Sequence, residues 1–196
     1  MKKKDLRIIR TEENLRKSLI SLLKENNLSS ITISKLSALA GIDRRTFYLH
    51  YSSVTELLNT LLEDLSKDFL QTLAICREEK AAGIYRYEGE DRNYAFLNAL
   101  FRLINNNKDL CLVLFSDHLD ISYIQSVFQS IYQPFANYCI AKDIATNEIQ
   151  IQLLFTFFVN GGSQIVKYWL EHEDSVSREY VVTTITFLLE SMERNS

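Results

Sequence analysis

The chain has 196 residues, 46% of them hydrophobic and 24% charged, with a formal net charge of −3. That length and apolar content suit one substantial core, or a main core with a small appended domain, and exclude a disordered chain. One Pro and five Gly interrupt it, and apolar residues recur at spacings of three and four. An all-α fold is therefore expected, since no alternating strand pattern of useful length is present. The amino terminus meets charge again at Asp5 and Arg7 and lacks the apolar core of a secretion signal. Asn160 and Lys167 interrupt the most hydrophobic stretch, so no membrane span is expected and the chain reads as cytoplasmic. Cys76, Cys111 and Cys139 are isolated and odd in number, which suits buried free thiols and neither a disulfide framework nor a zinc knuckle.

The net charge hides an asymmetry. Residues 1–52 carry eleven Lys or Arg against five Asp or Glu, a net of +6, and the remaining 144 residues carry a net of −9. A cationic segment joined to an anionic body suits one end that meets a polyanion while the other avoids it, or else a solvated basic face with no partner.

In chain order, Leu15, Leu19, Leu22 and Leu23 form one stripe and predict a helix from about Thr11, as cap, to Glu25. Asn26 and Asn27 end it. A short helix follows, capped by Thr32 and running through Leu36 and Leu39 to Ala40, where Gly41 stops it. Asp43 caps a third, Arg44 to about His50. Ser53 and Glu56, three apart, form a capping box that opens a long fourth helix along Leu57, Leu58, Leu61, Leu62 and Leu65 and past Phe69. From Glu78 to Asn93 the chain turns polar around Gly83 and Gly89 and reads as a mobile connection that includes Tyr85 and Tyr87. Helices are then expected over Tyr94–Asn105 and Leu110–Phe115, over Ile121 to about Lys142 with a bend near Pro134, over Asn147–Glu171, and over Ser177–Arg194.

Residues 32–51 carry the most information. Two short helices about a Gly turn make a unit whose second helix can enter a DNA major groove. Arg44, Arg45 and Tyr48 share roughly one face, while Phe47 points away toward Leu36, Leu39 and the first helix. The reading side thus presents guanidinium forks suited to guanine or phosphate. Thr32, Ser34 and the amino ends of the second and fourth helices offer neutral phosphate contacts.

Thr32, Ala40-Gly41, Thr46-Phe47-Tyr48, Tyr51 and Ser53-Val54-Thr55-Glu56-Leu57-Leu58 together resemble the DNA-binding domain of the tetracycline-repressor (TetR) family over about residues 8–65. The resemblance implies a helix-turn-helix domain at 1–56 and a helical effector-binding and dimerisation domain at 57–196. It implies a cytoplasmic transcriptional regulator, a repressor, that binds a palindromic double-stranded DNA operator as a homodimer. By resemblance, Arg44, Arg45 and Thr46 occupy base-reading positions, and Tyr48, His50 and Tyr51 lie on or beside the backbone. Where family members often carry a phosphate-contacting Lys at the start of the fourth helix, this chain has Val54. Phe157-Phe158-Val159-Asn160-Gly161-Gly162 and Lys167-Tyr168-Trp169-Leu170 are similar to the next-to-last helix of one branch of the family. That similarity implies a four-helix dimer interface around Gly161, Gly162 and Trp169. A Gly pair costs about 1 kcal/mol per residue inside a helix, and close helix approach offsets it; a kink packed within one subunit is the alternative.

An enzyme is not expected, because no phosphate loop or nucleophile motif is present. Asp117, His118 and Asp120, with His172 or Cys111 brought from elsewhere, have the spacing for a metal, but read better as a polar helix connection. No metal and no cofactor are expected. The aromatics after residue 94, including Phe96, Phe101, Phe115, Tyr123, Phe128, Tyr132 and Phe155, read mostly as core. Some of them suit the walls of a cavity for a small apolar or aromatic effector between about Tyr94 and Tyr168.

Overall fold

The fold was analysed in a computed structural model, which describes residues 6–81, 92–141 and 144–193. Ten α-helices and one 3₁₀ turn cover most of these residues: α1 Leu6–Leu23, the turn Leu28–Ser30, α2 Ile33–Ala40, α3 Arg44–His50, α4 Val54–Ala81, α5 Arg92–Asn106, α6 Lys108–Leu114, α7 Ile121–Gln129, α8 Tyr132–Ala141, α9 Glu148–Glu171 and α10 Arg178–Glu193. The fold is all-α, as the helical periodicity predicted. The side chain of Cys76, the side chains of Tyr94 and Phe96, and the stretch holding Gly83, Tyr85, Tyr87 and Gly89 lie outside the described residues.

Several boundaries differ from the expectation, each for a local reason. α1 begins at Leu6, so Thr11 sits inside the helix and does not cap it; the apolar positions Leu6, Ile8 and Ile9 extend the helical pattern upstream. The Asn26 side chain ends α1 by donating to the Leu22 carbonyl at 2.8 Å. α4 continues through Glu78 to Ala81, because Glu78, Glu79, Lys80 and Ala81 are good helix formers whatever their polarity. The expected bent helix after Ile121 is two helices. Ile131 donates to the Phe128 carbonyl at 3.0 Å across the break. Pro134 then falls in the first turn of α8, where a missing N–H costs nothing. α9 is long and apolar enough to cross a membrane by length and composition alone, which the sequence reading did not allow.

The chain forms two compact units, and α4 passes from one into the other. The first comprises the chain up to Leu65 together with Asp109–Gln125; the second comprises Ser66–Lys108 and the chain from Ser126 onward. In the first unit α1 packs on α2 and α2 on α3. Leu15, Leu19, Leu23, Leu36, Phe47, Leu57 and Leu58 are fully buried there, and Val113 and Leu119 contribute from the later segment. Full burial of each such side chain is worth roughly 1.5–3 kcal/mol. Leu39, expected inside, is exposed. The later segment is tied in by polar bonds as well: His118 Nδ1 lies 2.8 Å from the Leu23 carbonyl, Leu28 N–H donates to the His118 carbonyl at 3.4 Å, and Lys24 pairs with Asp109 at 2.7 Å.

In the second unit α5 packs on α10 and α8 on α9. Phe101 meets Trp169 edge-on at 5.0 Å, and Phe155 holds Tyr132 and Phe135 at 5.0 and 5.4 Å. α9 starts at an Asn147 cap, whose side chain accepts from Gln150 N–H at 3.0 Å.

Candidate nucleic-acid interface

The reading head is built by local backbone chemistry. Thr32 Oγ1 accepts the Lys35 N–H at 3.2 Å and opens α2. Gly41 closes it in the left-handed region, φ 69°, where a side chain would be strained. Its N–H donates to the Ala38 carbonyl and Ile42 N–H to the Ser37 carbonyl at 3.0 Å, a helix-ending pair that reverses the chain. Asp43 then accepts the Thr46 N–H at 2.7 Å and starts α3. This bond holds the Asp43 carboxyl below its ordinary value. Ser53 accepts the Glu56 N–H at 3.0 Å at the head of α4. The Glu56 carboxylate reaches back to Ser52, whose side-chain and backbone bonds lower its own pKa. The capping box thus forms with its return bond shifted one residue upstream.

α3 has two sides. Phe47 is fully buried and meets Tyr48 edge-on at 5.8 Å. Arg44, Arg45, Tyr48 and Leu49 are exposed on the opposite side, and Thr46 is half-buried. Asp43 takes up N–H groups of the first turn, and the two exposed arginines beside it make the amino end of α3 the cationic end of the face. Thr32 and Ser34 are exposed at the start of α2, with the Thr32 hydroxyl oxygen already engaged in capping.

Two predicted backbone neighbours are less open than expected. His50 is half-buried, with Nδ1 3.5 Å from Glu12 Oε1. Tyr51 is buried, with its ring 6.2 Å from that of Phe47, and it follows directly on α3 and bonds Arg16 of α1. Leu49 is the residue that sequence reading passed over. Its signal was present: it lies four residues after Arg45 and so on the same stripe of α3.

The Asp117, His118, Asp120 group forms a helix connection. His118 bonds the end of α1, and Asp120 accepts the Ser122 N–H at 2.9 Å as the cap of α7; the Ser122 hydroxyl and then this N–H lower the Asp120 pKa. Among the described residues no group of three or more His, Cys, Asp or Glu can hold a metal ion. Cys111 is buried, and burial pushes its thiol up to about 12, so it stays a neutral core side chain.

The residues expected at a dimer interface separate. Gly161 is exposed, and among the described residues a Cβ built on Gly161 or Gly162 would meet no atom within 4 Å beyond the adjoining backbone of its own helix. Trp169 is 4% exposed and packs inside its own subunit against Phe101. α9 instead exposes Ile149, Leu153, Phe157 and Tyr168 along the stripe that contains Gly161, and α10 exposes Tyr180, Phe187 and Leu188.

Comparison with known proteins agrees with this architecture. Residues 91–191 match a TetR-type family model described as the transcriptional regulator C-terminal region. The HTH-type transcriptional regulator YxbF of Bacillus subtilis is 36% identical over 72 residues, which are 36% of this chain and only 19% of that relative. YvdT, an HTH-type transcriptional regulator of the same organism, is 26% identical over 144 residues, 70% of this chain and 69% of the relative. Among solved structures, the transcriptional regulator FadR from Bacillus subtilis in complex with stearoyl-CoA superposes with a TM-score of 0.64 at 14% identity, covering 90% of this chain and 96% of that one, and so shares the fold. With a reading head of this geometry and a matching carboxy-terminal region, the chain belongs to the TetR family of helix-turn-helix transcriptional regulators.

Proposed function

We propose that this regulator is a homodimeric repressor that binds a palindromic operator through its two α3 helices and leaves it when a small apolar or aromatic effector binds. The observation that carries the reading is the division of α3: Phe47 is fully buried while Arg44, Arg45 and Tyr48 face solvent. The arginines read base edges with help from Thr46, and Thr32, Ser34 and Tyr48 hold phosphates. His50, braced by Glu12, stands beside the backbone, and the buried Tyr51 supports the helix from behind. DNA reading is assigned to residues 1–56, and dimerisation and effector binding to 57–196. The dimer forms on the exposed stripe of α9 through Gly161, joined by Gly162 and by the exposed side chains of α10; Trp169 supports that stripe from within.

The effector is assigned to the second unit, whose aromatic residues suit an apolar guest. The stearoyl-CoA bound by the FadR neighbour is one instance of that chemistry on this fold. Coupling of about 1–3 kcal/mol between effector and operator suffices for a regulatory switch.

The test is selection of bound duplexes from a random-sequence pool, followed by shift assays at several salt concentrations. A near-palindrome should emerge, with half-sites about one helical turn or more apart. Arg44→Ala and Arg45→Ala should each lose about 1–3 kcal/mol of specific binding where the contact is bidentate to guanine. Unchanged affinity in both variants at matched salt refutes the assignment of the reading face.

A further inference from the structure

The reading face carries an apolar group that the described residues leave largely exposed. Leu49 is 78% exposed. A single exposed leucine means little by itself; its position gives it meaning. Arg44 and Tyr48 form one stripe of α3, and Arg45 and Leu49, also four apart, form the next. Phe47 occupies the opposite, buried side, flanked by the half-buried Thr46 and His50. Any groove that accepts the Arg45 guanidinium therefore receives the Leu49 side chain one helical turn further along.

A major groove offers mostly polar edges. Pressed against a phosphate, an amino group or a carbonyl, a leucine would take water from that group and give nothing in return. The one apolar feature of the groove is the C5-methyl of thymine. We propose that Leu49 is a specificity-determining residue that reads a thymine methyl in each half-site, a role that rests on α3 being the recognition helix. One helical turn is about 5.4 Å and successive bases are about 3.4 Å apart along a strand. The thymine then lies one or two base steps from the base read by Arg45. Cytosine at that position is rejected, because its amino group would face the leucine unpaired.

Deoxyuridine in place of thymine removes only the methyl. With the full chain and an operator selected from a random pool, each symmetry-related pair of thymines is replaced in turn, and wild type is compared with Leu49→Ala and Arg45→Ala. Wild type should weaken about fourfold per half-site at one pair of thymines, the worth of one buried methyl group. Leu49→Ala should bind more weakly than wild type on the natural operator and be indifferent to deoxyuridine at that pair, while keeping the wild-type response elsewhere. A Leu49→Ala variant with the full wild-type deoxyuridine profile, or one that weakens uniformly without a position, overturns the proposal. If Arg45→Ala loses binding in that same experiment, the recognition helix stands and only Leu49 is misassigned. If Arg45→Ala also binds as wild type, or no sequence is selected, the reading of α3 itself fails.

Discussion

Phe157→Ala tests the dimer at the centre of its proposed face. Phe157 is 65% exposed in the subunit, one turn before Gly161 on the stripe that also holds Ile149, Leu153 and Tyr168. Full burial of a Phe is worth about 1.5–3 kcal/mol, so covering the exposed two thirds contributes about 1–2 kcal/mol. In a two-fold interface each substitution occurs twice, which gives about 2–4 kcal/mol per dimer, a loss of roughly 30-fold to 1,000-fold in dimerisation. The isolated subunit should lose little, because the ring is 65% exposed and rests on Phe158 at 5.7 Å. Sedimentation equilibrium measures the first quantity and thermal unfolding at low concentration the second. Trp169→Ala is the contrasting variant: its ring is buried on Phe101, so it should destabilise the fold itself by about 3–5 kcal/mol. A Phe157→Ala chain that dimerises with the wild-type constant would refute the reasoning and move the interface off α9.

The caps of the head predict a pH dependence. The folded pKa values of Asp43 and Glu56 lie below their ordinary 3.8 and 4.5 because each carboxylate accepts bonds at a helix start. Their contribution is therefore complete above the unfolded values and is lost as pH falls through the folded ones. Asp43→Asn keeps an acceptor at the cap but cannot titrate, so its stability should fall less steeply than wild type below about pH 4 in acid titrations followed by circular dichroism; equal slopes would remove Asp43 as a source. His118→Ala should cost about 1 kcal/mol by leaving the Leu23 carbonyl to water and should speed amide exchange at Leu28, whose N–H donates to the His118 backbone. Exchange at Leu28 that does not change would show that the imidazole does not hold this segment to the head.

The head was legible because its signals are local. A Thr or Asp cap, a Gly with positive φ and a buried Phe just after two exposed arginines each follow from a few neighbouring residues, and Thr32, Gly41, Asp43 and Phe47 stand where those rules put them. What was misread or left open depends on distant parts of the chain. Leu39 fits an apolar stripe but faces solvent, because α2 is only eight residues long and Leu36 and Ala40 already fill its inner side. Trp169 and Phe157 sit on a helix that is apolar on nearly every face, so periodicity could not say which of them faces outward. The bond from His118 to Leu23 joins residues 95 apart, and no spacing rule reaches that far.

The two kinds of exposed apolar residue have one explanation between them. A subunit alone leaves Leu49 on α3 and Ile149, Leu153 and Phe157 on α9 in water, a poor use of large side chains unless each face has a partner. The α9 stripe with an open glycine near its middle suits a second copy of itself, because two helices approach closely only where side chains are small. A self-complementary contact of that kind is isologous and generates a two-fold axis. On the proposed dimer that axis relates the two α3 helices, so the bases proposed to be read by Arg44, Arg45 and Leu49 would recur inverted, which is why a palindromic operator is proposed. Each half-site then needs only modest affinity, because the second helix binds at the high effective concentration set by the first. The proposed signal uses the same geometry: an effector that changed the separation of the two α3 helices would abolish simultaneous binding, and the advantage of the second half-site would be lost without altering a single base contact.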